Sequence, residues 1–103
     1  MSQYDNVSVT KKANVYFDGR CISHTIMLPD GSRKTLGVLL PSHLTFNTAS
    51  AETMDIISGR CEILLDGQTE WQSFAAGESF EVPGNSSFQI RVDEITDYVC
   101  HFA

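Results

Sequence analysis

The sequence predicts an all-β domain, a sandwich or barrel of short strands. Three observations carry that expectation. Runs of β-branched and aromatic residues recur along the whole chain, turn-forming dipeptides stand between them, and the clearest runs alternate apolar and polar side chains with a period of two.

The elements follow in order. Residues 1–12, polar and closing on Lys11-Lys12, read as an arm ahead of a single domain over residues 13–103. ANVYF (13–17) is the first strand, stopped by Asp18-Gly19, and CISHTIML (21–28) the second, stopped by Pro29-Asp30-Gly31. KTLGVLL (34–40) runs to Pro41-Ser42, and HLTFNT (43–48) follows. SAETM (50–54) has the only helical character in the chain and reads as a turn. MDIISG (54–59) and RCEILLD (60–66) lead to Asp66-Gly67; EWQSFA (70–75) leads to Ala76-Gly77; SFEVP (79–83) leads to Pro83-Gly84-Asn85. SFQIRV (87–92) sets Phe88, Ile90 and Val92 on one face, with Gln89 and Arg91 on the other. DYVCHFA (97–103) sets Tyr98, Cys100 and Phe102 together, which turns His101 outward or into a subunit contact.

Composition narrows the function. At 103 residues, 42% hydrophobic and 19% charged, the chain can bury one core without staples. The net charge of -6, with no basic cluster beyond Lys11-Lys12 and Arg33-Lys34, excludes a nucleic-acid polymer as partner; both pairs read as solvated. Any small anion must be held by local placement of charge against that field. Three cysteines without a CxxC pair fit neither a zinc ribbon nor a disulfide framework. With no signal-like N-terminus and no window near the ~18 apolar residues of a membrane span, the expectation is a reduced, soluble, cytoplasmic protein away from membranes.

One spacing carries chemistry. Glu52 is followed after six residues by Gly59, and further on stand Gly77, Pro83, Asn85 and Phe88. These intervals resemble the two motifs of the cupin superfamily and imply a single cupin-type (RmlC-like) jelly-roll β-barrel. The metal-ligand positions of those motifs carry Phe46, Thr48 and Phe88 in place of histidines, and only Glu52 remains. A first-row metal needs several N, O or S donors at about 2.0–2.3 Å, so no metal is expected. His24, His43 and His101 stand on separate segments at no ligand spacing.

The succession YFDG, LTFNTASAETMDIISG, TEWQSFAAGESFEVPGNSSFQI and DYVCHFA resembles the small bacterial pyrimidine/purine nucleoside phosphorylase family over residues 13–103. That resemblance implies phosphorolysis of purine and pyrimidine nucleosides to free base and pentose 1-phosphate. It implies no metal or organic cofactor, with inorganic phosphate as co-substrate.

Residue roles follow from the chemistry. Cleaving an N-glycosidic bond builds positive charge on the sugar and negative charge on the base. Glu52 is the candidate catalytic residue, as acceptor for ribose hydroxyls or, partly protonated by burial, as donor to the base. Thr48 and Ser50 are candidates for sugar or phosphate hydrogen bonds. Phe46 and Phe88 offer flat faces to a base, and Tyr98 a phenolic hydroxyl. Arg20 and His101 are the candidate phosphate contacts. Trp71 reads as a packing or interface anchor, and a homodimer is expected. The alternative is a cupin that binds a nucleobase or sugar without chemistry; a metal-dependent oxygenase or isomerase is a further rival, opposed by the missing histidines.

Overall fold

A computed structural model describes residues 2–102. Eleven strands form two antiparallel sheets: β1 (Ser8–Val9), β2 (Asn14–Tyr16), β3 (Cys21–Met27), β4 (Arg33–Leu39), β5 (Ser42–Thr48), β6 (Glu52–Ser58), β7 (Arg60–Leu65), β8 (Gln72–Ala75), β9 (Ser79–Val82), β10 (Ser86–Val92) and β11 (Thr96–Phe102). One sheet runs β1-β3-β4-β11-β6-β9, with β2 added on β3; the other runs β5-β10-β7-β8. The two ladders stay separate, so the jelly roll is a pair of facing sheets closed by side chains rather than by a continuous hydrogen-bonded barrel.

The period-two pattern explains which residues meet. Phe88, Ile90 and Val92 of β10 are buried, as are Tyr98 and Cys100 of β11, and with Leu39, Leu44, Met54, Ile56 and Ile63 they fill the space between the sheets. On β11, Val99 and His101 face the other way. A β-bulge between Asp97 and Tyr98 adjusts the pairing of β11 with β6.

The spacing from Glu52 to Gly59 is the length of one strand. Glu52 opens β6, Ser58 closes it, and Gly59 makes the turn into β7 at φ +80, where a side chain would also strike the Ile95 carbonyl and Thr96. In the second motif, Asn85 takes the left-handed conformation (φ 50) expected of the glycine that it replaces.

Four local features depart from the sequence reading, the first being that Glu52–Met54 of the SAETM segment, read as a turn, belong to strand β6. Ser8–Val9 of the arm pairs with Ile26 and Met27, and the Thr10 amide donates to the Thr25 carbonyl, so the arm is partly tied to the sheet. The first predicted strand stops at Tyr16, because Phe17 and Asp18 turn left-handed (φ 51 and 56) into a short 3-10 segment. Trp71 lies before β8, with the Arg91 guanidinium stacked 3.8 Å over its ring and His43 at its edge. Ala103, the end of the last predicted strand, lies outside the described residues.

Candidate active site

A cavity of about 140 Å³ opens between the sheets, lined among others by Phe46, Phe88, Tyr98, Glu52, Phe102 and Tyr16. Phe46 on β5 and Phe88 on β10 are register partners, and their rings stack with centroids 5.7 Å apart and planes 22° apart. They form one aromatic wall rather than two jaws. The edges of Tyr16 and Phe17 close on Phe46 at 5.9 and 5.3 Å between centroids, so the left-handed turn brings two half-exposed aromatic rings over the wall.

Tyr98 lies in the floor. Its hydroxyl shares a hydrogen bond of 3.3 Å with Cys21 Sγ, and burial raises its pKa, so it stays a neutral phenol. Glu52 stands where β6 begins. The Cys100 thiol donates to Glu52 Oε1 at 3.4 Å. Partial burial raises the Glu52 pKa, and the Cys100 contact offsets that only in part. Burial first, then the neighbouring Glu52 carboxylate, pushes the Cys100 thiol up to about 12, so it is a donor and not a nucleophile.

Outside this chamber lies a wider cleft of about 470 Å³, lined by Glu52, Thr53, Glu81, His101 and Phe102 among others. Glu52 and Phe102 line both spaces, which makes them the threshold between an aromatic chamber and a more open cleft that carries Glu81 and His101.

The other candidates fall elsewhere. Thr48 is buried and its hydroxyl is occupied: it donates to the Pro83 carbonyl at 2.6 Å and accepts from the Ser86 amide at 3.1 Å. With the Asn85 amide donating to the Ala49 carbonyl, it ties the 83–86 loop to the bend before Glu52 and so positions the carboxylate. Ser50 is exposed on that bend and lines neither space. Arg20 precedes β3 beside Leu40, at the end of the sheet opposite Met27 and Arg33, and lines neither space. His101 lines the cleft, but both ring nitrogens are engaged. Lys34 Nζ can only donate, so it donates a hydrogen bond to Nδ1 at 2.7 Å, and Nε2–H then donates to Asp55 at 2.6 Å.

Tyr16, Cys100 and Phe102 were not picked out as site residues by sequence. The alternation of β11 carried the signal for the last two, since it puts them on the face of Tyr98. Tyr16 sits in the YFDG stretch, but only the turn at Phe17 folds it over Phe46.

The cupin fold implies a metal, and the donors here do not fit one. Phe46 and Phe88 have none, Thr48 is committed to backbone, and Glu52 stands alone. Among the described residues no three His, Cys, Asp or Glu side chains converge as a ligand set.

Comparison with known proteins bears on fold and family. The family model for pyrimidine/purine nucleoside phosphorylase matches residues 11–102. A pyrimidine/purine nucleoside phosphorylase of Methylococcus capsulatus is 64% identical over 102 residues, covering 99% of each chain. That of Cupriavidus taiwanensis is 62% identical over 99% of this chain and 97% of its own. A crystal structure from Acinetobacter sp. ADP1, of a protein described as of unknown function, superposes with a TM-score of 0.98 at 54% identity over the full length of both. An oxalate decarboxylase of Bacillus subtilis matches at a TM-score of 0.74, with 13% identity over 93% of this chain and 28% of its own, a likeness of fold alone that identifies the cupin-type jelly roll. With its own frame intact from Lys11 to Phe102, the chain belongs to the pyrimidine/purine nucleoside phosphorylase family.

Proposed function

We propose that this protein catalyses phosphorolysis of purine and pyrimidine nucleosides. The C1′–N bond breaks with its electron pair leaving on the base, a phosphate oxygen bonds to C1′, and the proton that hydrogen phosphate gives up ends on the base nitrogen. The products are a free base and a pentose 1-phosphate. The observation that carries the reading is full-length identity above 60% to relatives of that name, joined to a two-part site with Glu52 at its threshold.

The volumes support a division of the substrate between the two spaces. A dry cavity of about 150 Å³ is known to hold benzene, so the inner chamber of about 140 Å³ is on the scale of an aromatic ring, not of a whole nucleoside. The base enters against the Phe46–Phe88 wall, where stacking is indifferent to the pattern of ring donors and so tolerates both base classes. Pentose and phosphate remain in the outer cleft. Glu52 then lies beside C1′, where its carboxylate accepts from ribose hydroxyls and stabilises the positive charge of the transition state. The Tyr98 phenol, which lines the chamber and shares its hydroxyl with Cys21, hydrogen-bonds the base in this reading.

The same reading has the enzyme work without metal or organic cofactor, as the donor chemistry supports. Buried free thiols at Cys21, Cys61 and Cys100 support a reducing compartment, the cytoplasm, with nucleoside salvage as the role. No helix among the described residues is long and apolar enough to cross a membrane. Exposed Ile22, Leu36 and Val38, neighbours on the outer face of the larger sheet, support a homodimer through that face.

Release of uracil from uridine and adenine from adenosine, followed chromatographically, tests the reading. Release that requires phosphate and survives chelator supports it. Binding of nucleosides without release leaves a non-catalytic module instead.

A further inference from the structure

The proposed reaction needs a cation for its phosphate, and the register of the larger sheet supplies one. In β4, Thr35, Gly37 and Leu39 are buried toward the interior, so alternation puts Arg33 on the same inner face at the open end of the sheet. Phe102 pairs with Glu52 on one side, and on the other His101 pairs with Lys34, which sets Arg33 beside Phe102. Arg33, Phe102 and Glu52 thus form one row across three strands. At about 4.8 Å per strand, the backbones of the cation and the carboxylate stand roughly 10 Å apart, with the aromatic ring between them. The Arg33 guanidinium carbon lies 4.4 Å from the Phe102 ring centroid.

Arg33 is also free to take a ligand. It makes no ion pair among the described residues, whereas Arg91 is held by Glu62 at 3.0 Å and Lys34 by His101. Its field reaches the chamber, favouring the thiolate of Cys100 against the larger opposing effect of burial. A guanidinium stacked on a ring keeps its edge N–H groups free, and that planar fork matches two phosphate oxygens.

We infer that Arg33, which lines neither space itself but stacks on Phe102, a residue of both, is the phosphate-binding residue, its free edge holding inorganic phosphate at the rim of the outer cleft on the side of the glycosidic bond away from Glu52. The inference rests on the phosphorolysis reading. Phe102 fixes the plane of the guanidinium, Glu52 faces the sugar, and the nucleophilic oxygen approaches C1′ between them. The Arg33-Lys34 pair, which reads as solvated in sequence, is divided by alternation into an inner residue that binds the anion and an outer one that braces His101.

Initial rates with phosphate varied at saturating uridine, for wild type, Arg33→Gln and Arg33→Lys, test it. Arg33→Gln should raise KM for phosphate by roughly tenfold or more, as loss of a charged bidentate contact demands, while KM for uridine stays within about twofold. Arg33→Lys, keeping charge without the fork, should fall between. A second readout without turnover is thermal unfolding with added phosphate, which should stabilise wild type and not Arg33→Gln. Wild-type phosphate KM in Arg33→Gln, or equal loss toward both substrates, overturns the inference while leaving phosphorolysis standing. Absence of any phosphate-dependent base release by wild type overturns both.

Discussion

Glu52 concentrates the chemistry at the scale of a single residue. Its carboxyl is half-buried at the threshold of the chamber, accepts only a weak thiol donor, and has its pKa raised from 4.5 by desolvation. The consequence for stability has a definite sign. A raised folded-state pKa means that the folded chain holds the proton more tightly than the unfolded chain, so stability is full below the unfolded value and declines as pH rises through the folded one. Glu52→Gln removes that penalty. Its melting temperature should equal or exceed that of wild type at pH 8, and the difference should shrink as the pH is taken below about 4.5. Its phosphorolysis should fall at least about tenfold, ~1.4 kcal/mol of transition-state stabilisation. Calorimetry at the two pH values beside initial rates checks both halves, and an unchanged rate would leave Glu52 a structural carboxylate. The residue was legible in sequence because one strand length separates it from Gly59. Thr48 was legible as a motif position but not in its role, since its partners at Pro83 and Ser86 belong to a loop more than thirty residues away.

At the scale of elements, the strands were legible because turn chemistry and period two are local signals. The exceptions have separate causes. β1 is two residues long and owes its existence to the edge of β3, which no local pattern reveals, and the turn at Phe17 is left-handed in residues that rarely adopt that conformation. Arg33 was passed over because charge was weighed by sequence cluster, although the alternation of Thr35, Gly37 and Leu39 already points it inward. Gly37 shows how two elements build the chamber together. It pairs with Tyr98 across β4 and β11, and the phenol ring lies so close that any Cβ at Gly37 would overlap it. Gly37→Ala should therefore lower stability by about 1–3 kcal/mol, the usual cost of overfilling a packed site. It should also push the phenol toward the space proposed for the base, raising KM for nucleoside more than KM for phosphate. Denaturant unfolding and two-substrate kinetics check this, and a variant with wild-type stability would show that the ring moves aside freely.

Over the whole molecule, charge and size set how phosphate arrives. The chain carries a net charge of -6 in a body of 41 × 28 × 27 Å. At 0.01 M salt the Debye length is about 30 Å, comparable with those dimensions, so an approaching dianion feels the summed acidic field; at 0.15 M it is about 8 Å, and the distant carboxylates are screened. Attraction by Arg33 acts at contact distance, within the Debye length in both conditions. The two contributions therefore separate with ionic strength: far-field repulsion is removed by salt and near-field binding is largely kept. KM for phosphate should fall as sodium chloride rises from about 0.01 to 0.15 M, while KM for the uncharged nucleoside stays nearly constant. In Arg33→Gln the direction should persist from a higher starting KM, because the far field is unchanged when the contact is lost. A phosphate KM that rises with salt in wild type would mean that a local cationic field dominates at every distance, and that the acidic surface plays no part in anion capture.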